Sequence, residues 1–313
     1  MKRRVFVGGA LAGVGAYARP QKPQAGNIPT RPFGKTGVDL QIIAQGGARM
    51  DLHPTVAEAA AHVRRVYDLG LAYFDCARSY WGGKSEEAYG IGLQGVRKNV
   101  FLTSKTTKRT RQEAEQELAT SLRALQTDYL DVWQMHDVRT QAEIDRILGP
   151  GGAMEAFEAA KKAGKCRFIG YTNCRDPEVH VEMLKHAERF DTCLMPLHVA
   201  DTCFSDSPKM SFEQTALPAA VERGVGIFGI KVFGNAFLLR TFSAGDCLRY
   251  SLSLPITATP LGACTLGQIE DDVRIAQTFK PLTPEEKSAL LARATSGKLD
   301  TIRGPALEYW KTR

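Results

Sequence analysis

Eight short apolar segments, each separated from the next by a stretch of helical character, constrain this chain more than any other feature. They are Ile42–Gln45, Leu71–Asp75, Val100–Ser104, Tyr129–Met135, Arg167–Tyr171, Thr192–Leu197, Val225–Ile230 and Ile256–Thr259. Each is mostly apolar and bounded by Gly, Pro or polar residues, as strands covered on both faces of a parallel sheet are. The intervening stretches carry helix signals. Thr55-Val56-Ala57-Glu58, Thr110-Arg111-Gln112-Glu113 and Thr283-Pro284-Glu285-Glu286 match the capping box, the last with Pro at the first helical position. Ala114, Leu118, Leu122 and Leu125 keep one helix face apolar. Gly70, Gly164 and Gly224 each end a helical pattern just before a strand, which suits a left-handed cap.

Strand and helix alternating eight times over about 250 residues favours a closed (β/α)8 TIM barrel of the α/β class over an open sheet. The open doubly wound alternative lacks its dinucleotide fingerprint. Gly13-Val14-Gly15 lies near the amino terminus, and Gly46-Gly47 lacks the spacing. Phe33 to Val38 reads as an N-terminal β-hairpin, and Thr283–Thr295 as an extra C-terminal helix.

A barrel of this kind builds its active site at the carboxyl ends of the strands. Asp75 ends the second strand, and Tyr80 follows in the loop. Lys105 ends the third, and His136 the fourth. Taken singly, each has an ordinary structural explanation: a helix cap, a solvated lysine, a satisfied histidine. Their meeting on three neighbouring strand ends points to chemistry. An ammonium beside a phenol is expected to lower the phenol's pKa, and a carboxylate holds that ammonium in place. An imidazole can orient a carbonyl by hydrogen bonding. The set suits protonation of an oxygen as hydride arrives at its carbon. The hydride must come from a nicotinamide, since no side chain carries one.

Tyr73-Phe74-Asp75-Cys76-Ala77-Arg78-Ser79-Tyr80, Leu102-Thr103-Ser104-Lys105, Trp133-Gln134-Met135-His136, Ile169-Gly170-Tyr171-Thr172-Asn173 and Leu248-Arg249-Tyr250-Ser251-Leu252 together resemble the aldo-keto reductase family, over about residues 30 to 295. The resemblance implies that Tyr80 is the general acid, tuned by Lys105 and Asp75, and that His136 positions the substrate carbonyl. It implies NADP(H), with NAD(H) as the other choice, bound at the barrel rim. Thr172 and Asn173 match the pair where Asn holds the carboxamide. Lys231-Val232-Phe233-Gly234 matches the loop beside the pyrophosphate. The segment from Gly262 through Cys264, Gln268, Asp271 and Asp272 matches the one around the adenosine phosphate and adenine, where a helix amino terminus would face an anion. Trp81 is a candidate substrate-pocket wall. Asp201 to Asp206 and Tyr309-Trp310-Lys311 are candidate specificity segments. Several positions depart from the family pattern. The amide expected on the sixth strand falls on Leu194, the stacking aromatic near Ile230, the phosphate-marking basic residues on Gly262 and Gln268, and the final Glu-Asn pair on Asp271-Asp272. These leave NADP versus NAD open. They also keep alive a second class of function, a non-catalytic cofactor- or ligand-binding barrel serving as a regulatory subunit.

The amino terminus reads as an address. Lys2, Arg3 and Arg4 precede an apolar run from Val5 to Ala18, and Ala16-Tyr17-Ala18 resembles a cleavage site. Arg3-Arg4-Val5-Phe6 resembles a twin-arginine export signal, although Lys2 stands where Ser or Thr is usual. Residues 1–25 are therefore expected to be signal and linker, and 26–313 the barrel, with the protein periplasmic or exported, or cytoplasmic if the signal does not function. A basic arm on a cytoplasmic protein is the alternative. Export away from the cytoplasmic nicotinamide pool suggests a cofactor that stays bound and is recycled in place. The net charge of +7 is dispersed among acidic residues, which favours neither nucleic acid nor membrane insertion as a partner. The seven cysteines show no C-x-x-C and no zinc-finger spacing, so most are expected to be buried apolar residues with no metal site. The expected partner is a small-molecule carbonyl or alcohol.

Overall fold

The structure, a computed structural model, describes residues 27–201 and 211–295. The export segment, most of the Asp201 to Asp206 candidate and the Tyr309-Trp310-Lys311 tail lie outside the described residues.

Two antiparallel strands, β1 (Thr30–Pro32) and β2 (Asp39–Gln41), form the expected hairpin. Eight parallel strands follow: β3 (Ile43–Gly46), β4 (Tyr73–Asp75), β5 (Phe101–Thr106), β6 (Leu130–Met135), β7 (Cys166–Thr172), β8 (Thr192–Pro196), β9 (Gly226–Ile230) and β10 (Thr259–Leu261). They pair in chain order, and β10 returns to β3. The Thr257 amide donates to the Ile227 carbonyl (2.8 Å) and the Gly229 amide to the Ala258 carbonyl (3.0 Å), which joins β9 to the lead-in of β10. The chain is thus a (β/α)8 barrel.

One boundary differs clearly from expectation. Ile256–Thr259 shares only Thr259 with the last strand. Residues 256–258 serve as the closing seam against β9, and the pairing with β3 begins at Thr259. β4 is also shorter than Leu71–Asp75, because the Ala72 amide is taken by the Gln41 side chain rather than by the ladder (2.7 Å).

The helices are α1 (Val56–Asp68), α2 (Lys84–Gly92), α3 (Arg111–Ala124), α4 (Gln141–Leu148), α5 (Ala153–Lys162), α6 (Pro177–Leu184), α7 (Leu217–Arg223), α8 (Ala244–Leu252), α9 (Leu266–Gln277) and α10 (Pro284–Thr295). Thr55, Thr110 and Thr283 cap α1, α3 and α10 through their hydroxyls. Gly70, Gly164 and Gly224 take positive φ, as the cap reading requires.

The barrel has two apolar layers. Ile, Leu and Val side chains fill the space between strands and helices. Inside the barrel, Phe33, Leu40, Ala44, Tyr73, Phe101, Val132, Leu194, Phe228 and Ala258 form a separate cluster. Phe33 comes from the hairpin and plugs the amino-terminal end. Its ring stacks on Phe228 at 5.3 Å and meets Phe101 and Phe168 edge-on at 5.7 and 5.3 Å. A Cβ on Gly226 would lie 2.3 Å from that ring, so only glycine fits beside the plug. Aromatic and aliphatic side chains thus close the amino-terminal end of the barrel interior, and the Asp75–Lys105 pair lies toward the opposite rim.

Deleting the plug tests this division. Phe33→Ala should cost about 3–5 kcal/mol, read by urea denaturation, because the barrel strands cannot collapse into the void. A cost under about 1 kcal/mol, the scale of an ordinary surface change, would contradict the plug's role.

Candidate active site

Inward-facing residues at the upper ends of β4 and β5 place Asp75 beside Lys105. Both are buried, at 4% and 2% exposure. The Lys105 Nζ donates to Asp75 Oδ1 (2.8 Å), to Oδ2 (2.7 Å) and to the Cys76 carbonyl (2.6 Å). The Thr103 hydroxyl donates to Asp75 Oδ1 as well (2.6 Å). All three ammonium protons are thereby used. Asp75 sits at the mouth of a buried strand to anchor a buried cation.

Tyr80 lies half-buried above this pair, with Lys105 Nζ 5.2 Å from its ring centroid. The His136 ring meets it edge-on at 5.5 Å. Asp75, Tyr80, Lys105 and His136 are therefore brought together, as the sequence led us to expect. The expected direction of the tyrosine shift is not found. Burial, and then the Asp75 charge, push the Tyr80 phenol well above its ordinary pKa. The physical reason is the ion pair. Opposite charges less than 3 Å apart largely cancel at the phenol, so desolvation of the phenolate decides the sign. Tyr80 stays protonated through the physiological range.

His136 follows β6, and its amide donates to the Thr106 carbonyl (2.8 Å). Burial and the Lys105 charge push its pKa down to about 3, so the imidazole is neutral. Its Nδ1 is 3.2 Å from the Ser79 hydroxyl. With Ser79 donating there, the single ring proton sits on Nε2 and is available to a ligand. Arg109 braces the same corner by donating to the His136 and Asp137 carbonyls (2.8 and 3.0 Å).

The expected cofactor residues divide into groups. Thr172 is buried and its hydroxyl accepts the Asp137 amide (2.8 Å). Asn173 is buried with its amide already committed: Nδ2 donates to the Val138 carbonyl (2.6 Å) and Oδ1 accepts the Arg175 and Asp176 amides (2.7 and 3.1 Å). It can offer a ligand one remaining N–H. Lys231 lies at the rim among Cys174, Asp137, Arg175 and Arg49, and burial lowers its pKa to about 8. Phe233 is partly buried against the outer core. Gly262 is overlaid by Arg49, whose Cγ would be 3.2 Å from an added Cβ. Arg49 continues to the Asn235 side chain. Gln268 turns back on its own helix, its Oε1 accepting the Cys264 and Thr265 amides (2.9 and 3.2 Å) and lying 3.3 Å from the Cys264 Sγ. The start of α9 is thus partly capped from within. Asp271 is tied to Arg274 (2.8 Å), while Asp272 is turned inward and pushed up to about 7 by burial and by Asp271. Leu194 belongs to the interior apolar cluster. Trp81 packs partly against the outer core with Lys84 Nζ 5.5 Å from its ring, so it is an anchor as much as a wall.

Sequence reading missed several groups. The loop Lys231–Ala236 holds Lys231, Gly234, Asn235 and Ala236 at positive φ. Such strain in residues other than glycine marks a built loop but leaves no composition signal. Ser79 was quoted within the Tyr73 to Tyr80 motif but given no role, and its hydroxyl meets the His136 ring. Gln134, next to Lys105 in register, is fully buried with neither amide atom bonded.

The model of the aldo/keto reductase family matches residues 43–286, and the chain belongs to that family. Among curated relatives, an uncharacterized oxidoreductase of Bacillus subtilis is 30% identical over 47% of this chain and 50% of its own length. L-galactose dehydrogenase of Arabidopsis thaliana is 30% identical over 46% and 48%. The chain thus spans about half the length of the curated relatives it matches. Among solved structures, an aldo-keto reductase of Bacillus halodurans in its holo form superposes with a TM-score of 0.73 at 23% identity, covering 86% of this chain and 97% of that one. An aldo-keto reductase of Klebsiella pneumoniae in complex with NADPH gives 0.69 at 22%, covering 84% and 94%. These likenesses establish the fold.

Four histidines make stability pH-dependent. His62 and His180 are held down to about 4 and His198 and His136 to about 3, chiefly by burial. Below 6.5, the ordinary imidazole pKa, the unfolded chain takes up protons that these rings refuse when folded, so stability is lost as pH falls. Asp272, raised to about 7, works in the opposite sense and offsets roughly one histidine, and the raised carboxyls of Glu86 and Asp201 act in the same direction. The net expectation is a marked fall in urea midpoint between about pH 7 and about pH 5. A flat profile would contradict the neutral, buried assignment.

Proposed function

We propose that the protein is an NAD(P)H-dependent oxidoreductase, transferring hydride between the cofactor and the carbonyl carbon of an aldehyde, ketone or sugar-like substrate. The observation that carries the reading is the convergence of Tyr80, His136 and the buried Asp75–Lys105 pair at the open end of the barrel. The names of related proteins agree with it. They include L-galactose dehydrogenase and methylglyoxal reductase of Escherichia coli, and one superposing structure was solved with NADPH.

In this reading Tyr80 gives its proton to the substrate oxygen. Its raised pKa keeps the proton in place until that oxygen becomes strongly basic, which suits the reducing direction. His136 Nε2–H hydrogen-bonds the same oxygen and fixes its position. Asp75 and Lys105 act as an immobile pair beneath, and Lys105 stabilises the phenolate as it forms.

The rim residues fit a dinucleotide at its anionic part. Lys231, Arg175 and Arg49 lie in one electrostatic cluster around the Lys231–Ala236 loop, suited to a pyrophosphate. Asn173 would hold the carboxamide with Thr172 behind it. Gly262, Cys264, Gln268, Asp271 and Asp272 would border the adenosine, with Phe233 beside the phosphates. When bound, the nicotinamide supplies the hydride. Neutral Gln268 and acidic Asp271 and Asp272 offer a 2′-phosphate little attraction, so NAD(H) is a cofactor choice alongside NADP(H).

Export through the twin-arginine-type segment, with residues 1–25 as signal and linker, belongs to the same proposal and rests on Arg3, Arg4 and the Val5 to Ala18 run. An exported reductase would keep its nicotinamide bound, so protein recovered from the periplasm should contain it. The regulatory-subunit alternative is disfavoured by the intact Asp75, Tyr80, Lys105 and His136 set.

Two measurements test the assignment. Fluorescence titration with NADPH and then NADH should show binding of at least one, with the preference settling the 2′-phosphate question. Tyr80→Phe should abolish turnover of an aldehyde panel while leaving the cofactor Kd within about twofold, since only the proton donor is lost. No binding of either cofactor by folded protein, or full turnover by the variant, would sink the proposal.

A further inference from the structure

The loop that carries Tyr80 is held by a second ion pair with no place in the chemistry described so far. Arg78 lies two residues before Tyr80. Its Nη1 is 2.6 Å from Glu86 Oε2, and its Nη2 donates to the Gly82 carbonyl at 3.3 Å. Glu86, in the first turn of α2, is fully buried. Its other oxygen accepts the Ser104 hydroxyl at 2.6 Å, and the Ser121 hydroxyl of α3 also bonds the carboxylate. Ser104 is the residue before Lys105 in β5.

The backbone between Arg78 and Glu86 is shaped around this contact. Trp81, Gly82 and Gly83 have φ of 50°, 61° and 92°, three successive left-handed residues, and Trp81 adopts that conformation despite its bulk. A Cβ on Gly83 would sit 1.1 Å from Arg78 Nη2, so the guanidinium occupies the space a side chain would need. The segment thus curls back over Arg78, and one planar fork from before Tyr80 holds the chain at Gly82 and Glu86 after it.

We propose that Arg78 and Glu86 are positioning residues for Tyr80: the pair fixes the Tyr80 loop to β5 at Ser104 and so sets the phenol's place over Lys105. This rests on the reading of Tyr80 as the proton donor. The fork geometry is essential, because a lysine ammonium cannot reach Glu86 and the Gly82 carbonyl as one rigid plane. The pair touches neither reacting atoms nor the cofactor residues, so its loss should act on kcat and spare cofactor binding.

Arg78→Ala, Arg78→Lys and the double variant Arg78→Ala/Glu86→Gln would be made in the full chain and assayed with NADPH or NADH and the best aldehyde of a panel. Arg78→Ala leaves a buried carboxylate without its partner and can fail to fold. The double variant removes both charges and keeps the Ser104 contact, so its stability should approach that of the parent. The expected result is a kcat lowered by roughly 100-fold in the double variant, the size of an ångström-scale misplacement of a catalytic group, with cofactor Kd and melting temperature near the parent's. Arg78→Lys should fall between. A double variant with parental kcat would overturn the inference and show that Arg78 only compensates the Glu86 charge. A parallel loss of cofactor affinity would also overturn it, by placing the defect in the whole rim. Tyr80→Phe keeps the two questions apart. If that variant turns over normally, the proton-donor reading fails; if it is dead while the double variant is fully active, only the positioning role fails.

Discussion

The buried pair between Asp75 and Lys105 is the constraint around which the upper half of this barrel is arranged. A charge in a barrel interior is costly unless it is matched and fully hydrogen-bonded. Here three ammonium donors meet two carboxylate oxygens and the Cys76 carbonyl, and Thr103 adds a donor to Asp75. Removing either partner alone would leave an uncompensated buried charge, a loss of about 3–5 kcal/mol in comparable cases. The pair therefore ties β4 to β5 and fixes the electrostatics seen by Tyr80. Because the two charges nearly cancel at the phenol, the tyrosine remains a neutral acid at rest. Lys105 becomes important only when negative charge develops on the Tyr80 oxygen. The arrangement stabilises a transient state more than the resting one, as catalysis requires.

The barrel supports this site by separating dry from polar. Phe33 and the aromatic rings around it close the amino-terminal end, and Val132, Leu194 and Phe228 continue the apolar filling upward. Charged and hydrogen-bonding groups then appear within one layer at the carboxyl ends of the strands. Low polarizability beneath them strengthens each electrostatic contact above. Two buried groups depart from this: the Gln134 amide, next to Lys105 in register, and the Tyr73 hydroxyl within the interior cluster both lack a hydrogen-bond partner.

Much of this was legible from the residues because it depends on local signals. Alternation of short apolar runs with capped helices is written in positions such as Thr55, Thr110 and Gly164. The four site residues could be placed because each directly ends a strand or follows one. What escaped was relational. Nothing in the order of Arg78, Gly83 and Glu86 announces that a guanidinium passes through the space above a glycine. The left-handed turns at Lys231, Asn235 and Ala236 break the usual link between positive φ and glycine. The sign of the Tyr80 shift was misjudged because Asp75 was read only as the anchor of Lys105, whereas burial of the phenol and the Asp75 charge itself both raise its pKa. Gln268 and Asn173 were read as ligand groups, whereas both spend most of their hydrogen bonds on the chain itself, which residue identity alone does not reveal.

The most direct test of the account is the fate of the transferred hydrogen. Full-length protein would be incubated with an aldehyde and cofactor bearing deuterium at one face of the nicotinamide C4, and the alcohol product analysed by mass spectrometry. The account predicts that label from one face, and one face only, reaches the carbinol carbon, with the hydroxyl proton coming from solvent through Tyr80. Cofactor that binds but delivers no label to any carbonyl would contradict it, and would leave the barrel as a nicotinamide-binding protein rather than an oxidoreductase.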